Sequence, residues 1–231
     1  FDYGPDPDQE RLLENFMQLC KTVGAPVRRA GYAVKSFTYE VECRTAEQVD
    51  AISRIVGVRS IGPMPVLRMV RPQVFNLKPL SRSLPSASEV NEDFPVVAVV
   101  DTGITDASSE LNSWIIGRES FVAEATRNTA HGTFVGGLIC YGAELNPHLK
   151  DVTSGPCGLL DVQIIPNDDP SAGDTDGLSE SEFLESLEEA LKKHANRVKV
   201  WNLSLGTNEV CSLDDFSLFA QQLDDLQERY Q

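Results

Sequence analysis

Residues 96–105, with the sequence VVAVVDTGIT, decide the fold class of this protein. The first five form a continuous apolar run, which is typical of a strand buried on both faces of a parallel sheet. Asp101 ends the run and therefore lies at the carboxyl edge of the predicted strand, where the loops of an open parallel sheet converge. The stretch predicts an α/β domain with a carboxylate at its functional edge.

The second half of the chain supports that fold class. Residues 159–165 and 198–203 predict further strands, residues 133–141 predict a helix, and a capping box at 179–182 predicts the start of another. Strands and helices that alternate at this length predict right-handed crossovers and a largely parallel, doubly wound sheet.

Residues 1–70 follow a different pattern, that of a small α+β domain. A helical repeat of apolar residues comes first, and Gly31 then separates two short extended stretches, the second with strict alternation over 37–43 that predicts a strand. A capping box at 45–48 starts a second helix. A further strand is predicted at 58–61 and resumes at 66–70. The order helix, strand, strand, helix, strand is that of a split β-α-β, ferredoxin-like unit without its first strand.

Composition and charge bound the kind of protein and its partners. The chain has 231 residues, 41% of them hydrophobic, which is enough for one or two domains with their own cores. Residues 71–93 are rich in Pro and Ser and have no period, so they predict a linker between residues 1–70 and 94–231. The net charge of -15 falls on the second domain, since residues 1–93 hold 12 basic and 12 acidic residues and the remainder holds 8 and 23. No nucleic acid partner is expected for so acidic a domain.

Several other classes of site are not expected. No apolar run reaches the roughly 18 residues that cross a membrane, so no membrane partner is expected. The five cysteines are odd in number and form no C-x-x-C pair, which argues against a disulfide framework or a zinc site and favours a reducing, cytoplasmic location. A removed leader is left open, because the chain begins with Phe1.

Residues 167–177 are acidic but lack EF-hand spacing, and no metal or cofactor is expected. Cys140 has no activating neighbour in the sequence and is expected to be a small core residue.

The tripeptide at 101–103, Asp-Thr-Gly, is compatible with two kinds of chemistry. Aspartic proteases use two such loops, whose carboxylates share one proton. This chain has one, and a dimeric version would need mostly β surroundings. The other chemistry pairs the carboxylate with a histidine, and His131 follows thirty residues later. An aspartate that orients an imidazole, which in turn accepts a proton, is the pair that activates a hydroxyl group.

His131 opens a predicted helix that is unusually rich in glycine, HGTFVGG at 131–137. Each glycine inside a helix costs about 1 kcal/mol relative to alanine. The close approach of another backbone, or of a substrate, would explain why glycine is present.

Three ordered blocks of sequence resemble subtilisin-like serine peptidases. VVAVVDTGI at 96–104 is similar to the aspartate block of that family, HGTFVGG at 131–137 to the histidine block, and VKVWNLSLG at 198–206 to the substrate-binding strand. The resemblance implies a partial subtilisin-like domain over residues 94–231. More weakly, residues 1–70 resemble the propeptide of these enzymes, which acts as a folding aid and inhibitor.

The resemblance also implies roles for five residues. Asp101 and His131 would be the first two members of an Asp-His-Ser triad. Ser204, Leu205 and Gly206 would present backbone groups that pair with an extended protein or peptide substrate.

The sequence departs from the family pattern in three ways. Phe134 stands where the family usually has a second histidine, and Gly136 where it usually has alanine. No Gly-Thr-Ser block, which carries the family's nucleophile, occurs in these residues. The resemblance therefore implies a serine endopeptidase whose serine lies outside this chain, on a C-terminal fragment or continuation that would be its partner. The chain alone is expected to be inactive. The alternative is a catalytically inactive pseudoprotease or regulatory module that retains the substrate groove.

Overall fold

A computed structural model of the chain describes residues 6–32, 37–69, 84, 94–146, 157–166, 177–207 and 216–230. The α-helices within them are α1 (Asp6–Val23), α2 (Ala46–Ser53), α3 (Ser109–Asn112), α4 (Ala130–Leu145), α5 (Glu180–His194) and α6 (Leu218–Tyr230). The strands within them are β1 (Val27–Arg29), β2 (Tyr39–Val41), β3 (Val66–Met69), β4 (Val96–Asp101), β5 (Ile115–Ser120), β6 (Gly158–Gln163), β7 (Leu178–Ser179), β8 (Val200–Leu203) and β9 (Leu205–Thr207). None of the described helices combines the length and apolar composition that a membrane span requires.

The chain divides into two compact units, residues 1–65 with 211–225 and residues 66–210 with 226–231. In the first unit, α1 buries Phe16 and Cys20 in a small core that also contains Ile52 of α2. Strands β1 and β2 form an antiparallel pair. The capping box predicted at 45–48 is confirmed, because the Thr45 hydroxyl accepts the Gln48 N–H while the Gln48 side chain accepts the Thr45 N–H.

The strand predicted at 58–61 is wrong, because these residues have no strand structure. Gly57 turns the chain with a φ of 103°, and Pro63 follows closely, so the segment is bounded by a turn and by a residue without an N–H. The strand predicted at 66–70 is present as β3, which belongs to the second unit and pairs there with β7 and β9, not with β1 or β2. The ferredoxin-like fold of residues 1–70 therefore stays a prediction. Residues 70–83 and 85–93, which include most of the predicted linker, lie outside the described residues.

The second unit contains the predicted parallel sheet, in the order β5-β6-β4-β8. Its three neighbouring pairs are all parallel. All six residues of β6 are buried, as are five of the six of β4, because these two strands lie between neighbours and have both faces covered. The α/β class with a largely parallel sheet, predicted from residues 96–105, is confirmed.

One part of the core of this unit lies where α4 packs on β4. A cluster of buried apolar side chains joins the sheet, α3 and α4, namely Val99, Ile104, Leu111, Trp114, Val135, Tyr141 and Leu159. The second predicted capping box is also confirmed, since the Ser179 hydroxyl accepts the Glu182 N–H and the Glu182 carboxylate accepts the Ser179 N–H at the start of α5.

The difference between the centre and the edge of this sheet is testable by making the same substitution, valine to alanine, at one position in each. Val99 is fully buried in β4, whereas Val200 in the edge strand β8 is 56% exposed. Val99→Ala is expected to lower the free energy of unfolding by about 2 kcal/mol, because it removes two buried methyl groups and leaves a cavity. Val200→Ala should change it by less than about 0.5 kcal/mol. Urea denaturation measures both, and equal losses would contradict the assignment of centre and edge.

Candidate active site

The structure brings Asp101 and His131 into direct contact. The Nδ1 atom of His131 lies 2.8 Å from Oδ1 and 2.9 Å from Oδ2 of Asp101. Both side chains are largely shielded from water, with 2% of the Asp101 side chain and 10% of the His131 side chain exposed. An ionised carboxylate offers only acceptors, so the imidazole nitrogen that faces it carries a proton. This hydrogen bond fixes both the orientation and the tautomer of the imidazole.

Residues 102–105, which we call the 102–105 loop, form hydrogen bonds both to this aspartate and to the helix that carries the histidine. The Thr102 N–H donates to Oδ1 of Asp101 at 2.7 Å, and the Thr102 hydroxyl accepts the Gly132 N–H at 3.0 Å. The Thr105 N–H donates to the Thr133 hydroxyl at 2.9 Å. Two hydrogen bonds, one on each side of Gly103, therefore hold the loop against the first turn of α4.

The glycines of α4 have separate explanations. A Cβ at Gly132 would overlap with the backbone of Gly103, whose own φ is 93°. A Cβ at Gly136 would lie 3.0 Å from Cδ1 of Ile104. The expected close approach of another backbone is therefore found at Gly132, whereas the neighbour of Gly136 is a side chain. Gly137 has no atom within 4 Å of such a Cβ, and nothing in the structure explains its glycine.

The residues predicted to bind substrate lie at the end of β8 and in β9. The Ser204 hydroxyl donates to Oδ1 of Asn202 at 2.8 Å, while Leu205 and Gly206 begin β9. Strand β9 pairs with β3 in an antiparallel register that sets Gly206 opposite Arg68 and Leu205 opposite Met69. The backbone edge predicted to bind an extended peptide thus already binds an extended segment of the same chain.

Strand β3 is the central strand of a separate three-stranded sheet, in the order β7-β3-β9. On its other side, Val66 pairs with Ser179 and Leu67 with Leu178. Leu67 is 2% exposed, and Val66 lies so close to Gly177 that a Cβ there would overlap with its side chain. An extended chain between two antiparallel neighbours has both of its edges hydrogen-bonded.

Comparison with known protein families gives one match. The sequence matches the model of the subtilase family over residues 93–230, which is more than half of the chain. The chain belongs to the subtilase family. Subtilases are serine peptidases, and the family membership covers the whole parallel sheet. No curated protein matches the sequence.

In this subtilase, one part of the site was not foreseen from the sequence. Asp161 is a buried carboxylate in the middle of β6, and its Oδ2 atom accepts a hydrogen bond from Nη1 of Arg118 at 2.6 Å and from the Ile104 N–H at 3.1 Å. The available signal was the residue itself, because an aspartate inside the mostly apolar strand predicted at 159–165 is out of place unless it is paired.

Two other residues of α4, Phe134 and Cys140, differ in how far they are buried. Phe134 is 44% exposed, although it lies one turn after His131. Cys140 packs against the core, and burial raises the pKa of its thiol to about 12. A thiol that stays protonated at neutral pH is a poor nucleophile, which agrees with the expectation of a core residue. Among the described residues, no three His, Cys, Asp or Glu side chains form a group that could hold a metal ion.

The contact between Gly132 and the 102–105 loop is testable against a glycine of the same helix. Gly132→Ala is expected to lower the free energy of unfolding by about 1–3 kcal/mol, because the new methyl group must displace backbone atoms of Gly103. Gly137→Ala should raise it by up to about 1 kcal/mol, since the site is open and alanine is the better helix former. Thermal unfolding measures both. A neutral effect at position 132 would contradict the close approach.

Proposed function

We propose that this chain supplies the aspartate and the histidine of a serine endopeptidase with an Asp-His-Ser triad, whose serine lies outside these residues. The observation that carries the proposal is the hydrogen bond from Nδ1 of His131 to the buried Asp101 carboxylate. With Nδ1 protonated, the imidazole lone pair is on Nε2, the atom that accepts a proton from a serine hydroxyl. Membership of the subtilase family supports a serine nucleophile over an aspartate dyad.

The reaction is acyl transfer in two steps. His131 takes the proton of the serine hydroxyl as its oxygen attacks the peptide carbonyl, and then gives that proton to the leaving amine as the peptide bond breaks. Water next attacks the acyl-serine ester, and His131 passes the water proton back to the serine oxygen. Asp101 remains ionised throughout, because its role is to hold the imidazole and to stabilise its positive charge.

The substrate in this proposal is an extended peptide that adds to β9 at Leu205 and Gly206. Support comes from β3, which forms this kind of backbone pairing with the same residues. Addition of a strand to an exposed edge is a general mode of peptide binding. We therefore also propose that residues 66–69 inhibit the site by occupying the position of the substrate.

A second candidate function is a binding or regulatory module without catalysis. The two candidates arise because no Gly-Thr-Ser block occurs in these residues. In the second candidate, β9 would bind peptides, or the chain's own segment 66–69, without cleaving them. The two candidates share the fold and differ only in whether a serine reaches His131.

Labelling of the whole gene product with a fluorophosphonate distinguishes the two candidates. A serine activated by His131 displaces fluoride and becomes phosphonylated, so labelling of the folded protein is the result expected for the peptidase. His131→Ala should slow the labelling by about 10⁴-fold, because the serine loses its base.

The matched control is His194→Ala, since His194 pairs with Glu119 at 3.0 Å on the surface of the same unit. Its labelling rate should equal that of the wild type. Correctly folded wild-type protein that stays unlabelled would overturn the peptidase in favour of the binding module.

Inhibition by residues 66–69 is tested separately. Leu67→Asp places a carboxylate where a leucine is 2% exposed, so the strand should leave β9 rather than bury an unpaired charge. Labelling and peptide hydrolysis should then be faster by about tenfold or more, because a tethered competitor is removed. Ile61→Asp is the control, at a position that is 48% exposed and outside any strand. Equal rates in all three proteins would refute the inhibition.

A further inference from the structure

A row of polar side chains crosses the buried part of the sheet directly below the 102–105 loop. In the strand register, Gln163 of β6 lies opposite Asp101 of β4 on one side and Ser120 of β5 on the other. Two residues earlier, Asp161 lies opposite Arg118 of β5. Asp161 and Gln163 are 4% and 5% exposed. Polar groups buried this deeply are costly unless each has a definite hydrogen-bond partner.

Asp161 and Arg118 both bond to the backbone of Ile104. The Ile104 N–H donates to Oδ2 of Asp161 at 3.1 Å, and the Ile104 carbonyl accepts from Nη1 of Arg118 at 2.6 Å. The same Nη1 atom donates to Oδ2 of Asp161 at 2.6 Å, which closes a ring of three hydrogen bonds. Arg118 also reaches Asp106 and Asn112 through its Nη2 atom. The ion pair therefore fixes the far end of the 102–105 loop.

Gln163 fixes the near end. Its Nε2 atom donates to the Thr102 carbonyl at 2.5 Å, and its Oε1 atom accepts from the Ser120 hydroxyl at 2.9 Å. The Thr102 N–H and hydroxyl are the groups that hold Asp101 and Gly132. Gln163 therefore bonds to the residue that contacts both Asp101 and Gly132, the neighbour of His131 in the chain.

Stability alone does not account for the Asp161–Arg118 pair. Burial raises the pKa of the Asp161 carboxyl, while the Ile104 N–H and the Arg118 guanidinium oppose that shift. Oδ1 of Asp161 is buried with no hydrogen-bond partner among the described residues. Buried ion pairs are often replaced by apolar residues of similar volume without loss of stability. What an apolar pair cannot supply is an acceptor and a donor for the backbone of Ile104.

From these contacts we infer that Arg118, Asp161 and Gln163 are positioning residues, which hold the 102–105 loop so that Asp101 meets Nδ1 of His131. The inference rests on the proposed function, because it concerns the same Asp-His pair. The 102–105 loop also contacts the helix that carries His131, because the Thr105 N–H donates to the Thr133 hydroxyl in α4.

The test observes the hydrogen bond directly by NMR, through the proton resonance of the His131 Nδ1–H in protein labelled with ¹⁵N-histidine. The chain has three histidines, so His131→Gln assigns the resonance. The decisive variant is the double substitution Arg118→Met with Asp161→Leu, which removes both charges together. We expect it to stay folded, at a lower unfolding temperature because the Ile104 N–H and carbonyl lose their partners, while the downfield Nδ1–H resonance is lost or moves upfield. A merely structural pair predicts an unchanged resonance in this double variant, and that result would overturn the inference.

Two further variants keep the test decisive. Gln163→Met has similar length and no charge but cannot bond to the Thr102 carbonyl, so it should also shift or abolish the resonance. If the double variant does not fold, Gln163→Met decides. Glu119→Gln is the matched control, because Glu119 adjoins Arg118 in β5 but bonds to Lys193 and His194. Its resonance should equal that of the wild type.

The outcomes of the resonance test can be distinguished from those of the labelling test of the proposed function. A wild-type resonance that depends on Asp161 and Gln163, in a protein that fluorophosphonate never labels, would keep the positioning role and refute the peptidase. Labelled protein whose resonance is the same in the wild type and in the variants at Arg118, Asp161 and Gln163 would refute the positioning role alone. A wild-type protein with no such resonance would overturn both.

Discussion

The contact between two backbones, that of Gly132 at the start of α4 and that of Gly103 after β4, is the constraint on which the candidate site depends. A side chain at position 132 would overlap with Gly103, and Gly103 itself has a φ of 93°, which favours glycine. With both residues small, the first turn of the helix reaches the end of the strand. His131 then lies within hydrogen-bond distance of Asp101 at a cost to helix propensity of about 1 kcal/mol for each glycine in α4.

That approach places polar groups in a region where water is scarce, and the sheet compensates with polar residues of its own. Five of the six residues of β4 and all six of β6 are buried, so an ordinary strand there would be apolar throughout. Asp161 and Gln163 interrupt β6 on alternate positions and bond to the backbone of the 102–105 loop. Low exposure strengthens each of these hydrogen bonds, and it makes the loss of any one partner expensive.

The sequence predicted the parts of this structure that follow from local patterns. The apolar run ending at Asp101, the two capping boxes and the helix at His131 are all determined by neighbouring residues, and each is present. The helix α2 ends at Ser53, although the apolar spacing continued to Val56, which is 80% exposed. Periodicity cannot show that a side chain has no surface to pack against.

Features that depend on residues far apart in the chain could not be predicted in the same way. Strand β3 was foreseen as a strand, but its neighbours β7 and β9 lie more than a hundred residues later. The role of Asp161 depends on Arg118 and on Ile104, which belong to other strands and loops. Asp101 and His131 could be paired from the sequence because the family resemblance supplied the partner, and spacing alone would have left the pair as one of two kinds of chemistry.

The pairing of β3 with β9 also bears on how a substrate would enter the proposed peptidase. Backbone hydrogen bonds do not depend on side-chain identity, so a segment of the chain and a peptide substrate compete for Leu205 and Gly206 on equal terms. The segment is tethered, which gives it an effective concentration of about a millimolar, whereas enzymes commonly bind substrates with a KM of about 1 μM to 1 mM. Under the proposal, a free peptide of ordinary affinity therefore cannot displace residues 66–69 at physiological concentrations. The site becomes available when the tether is cut or when β3 loses its other neighbour, β7, so regulation of the proposed enzyme depends on the same two antiparallel strand pairs that bury Leu67.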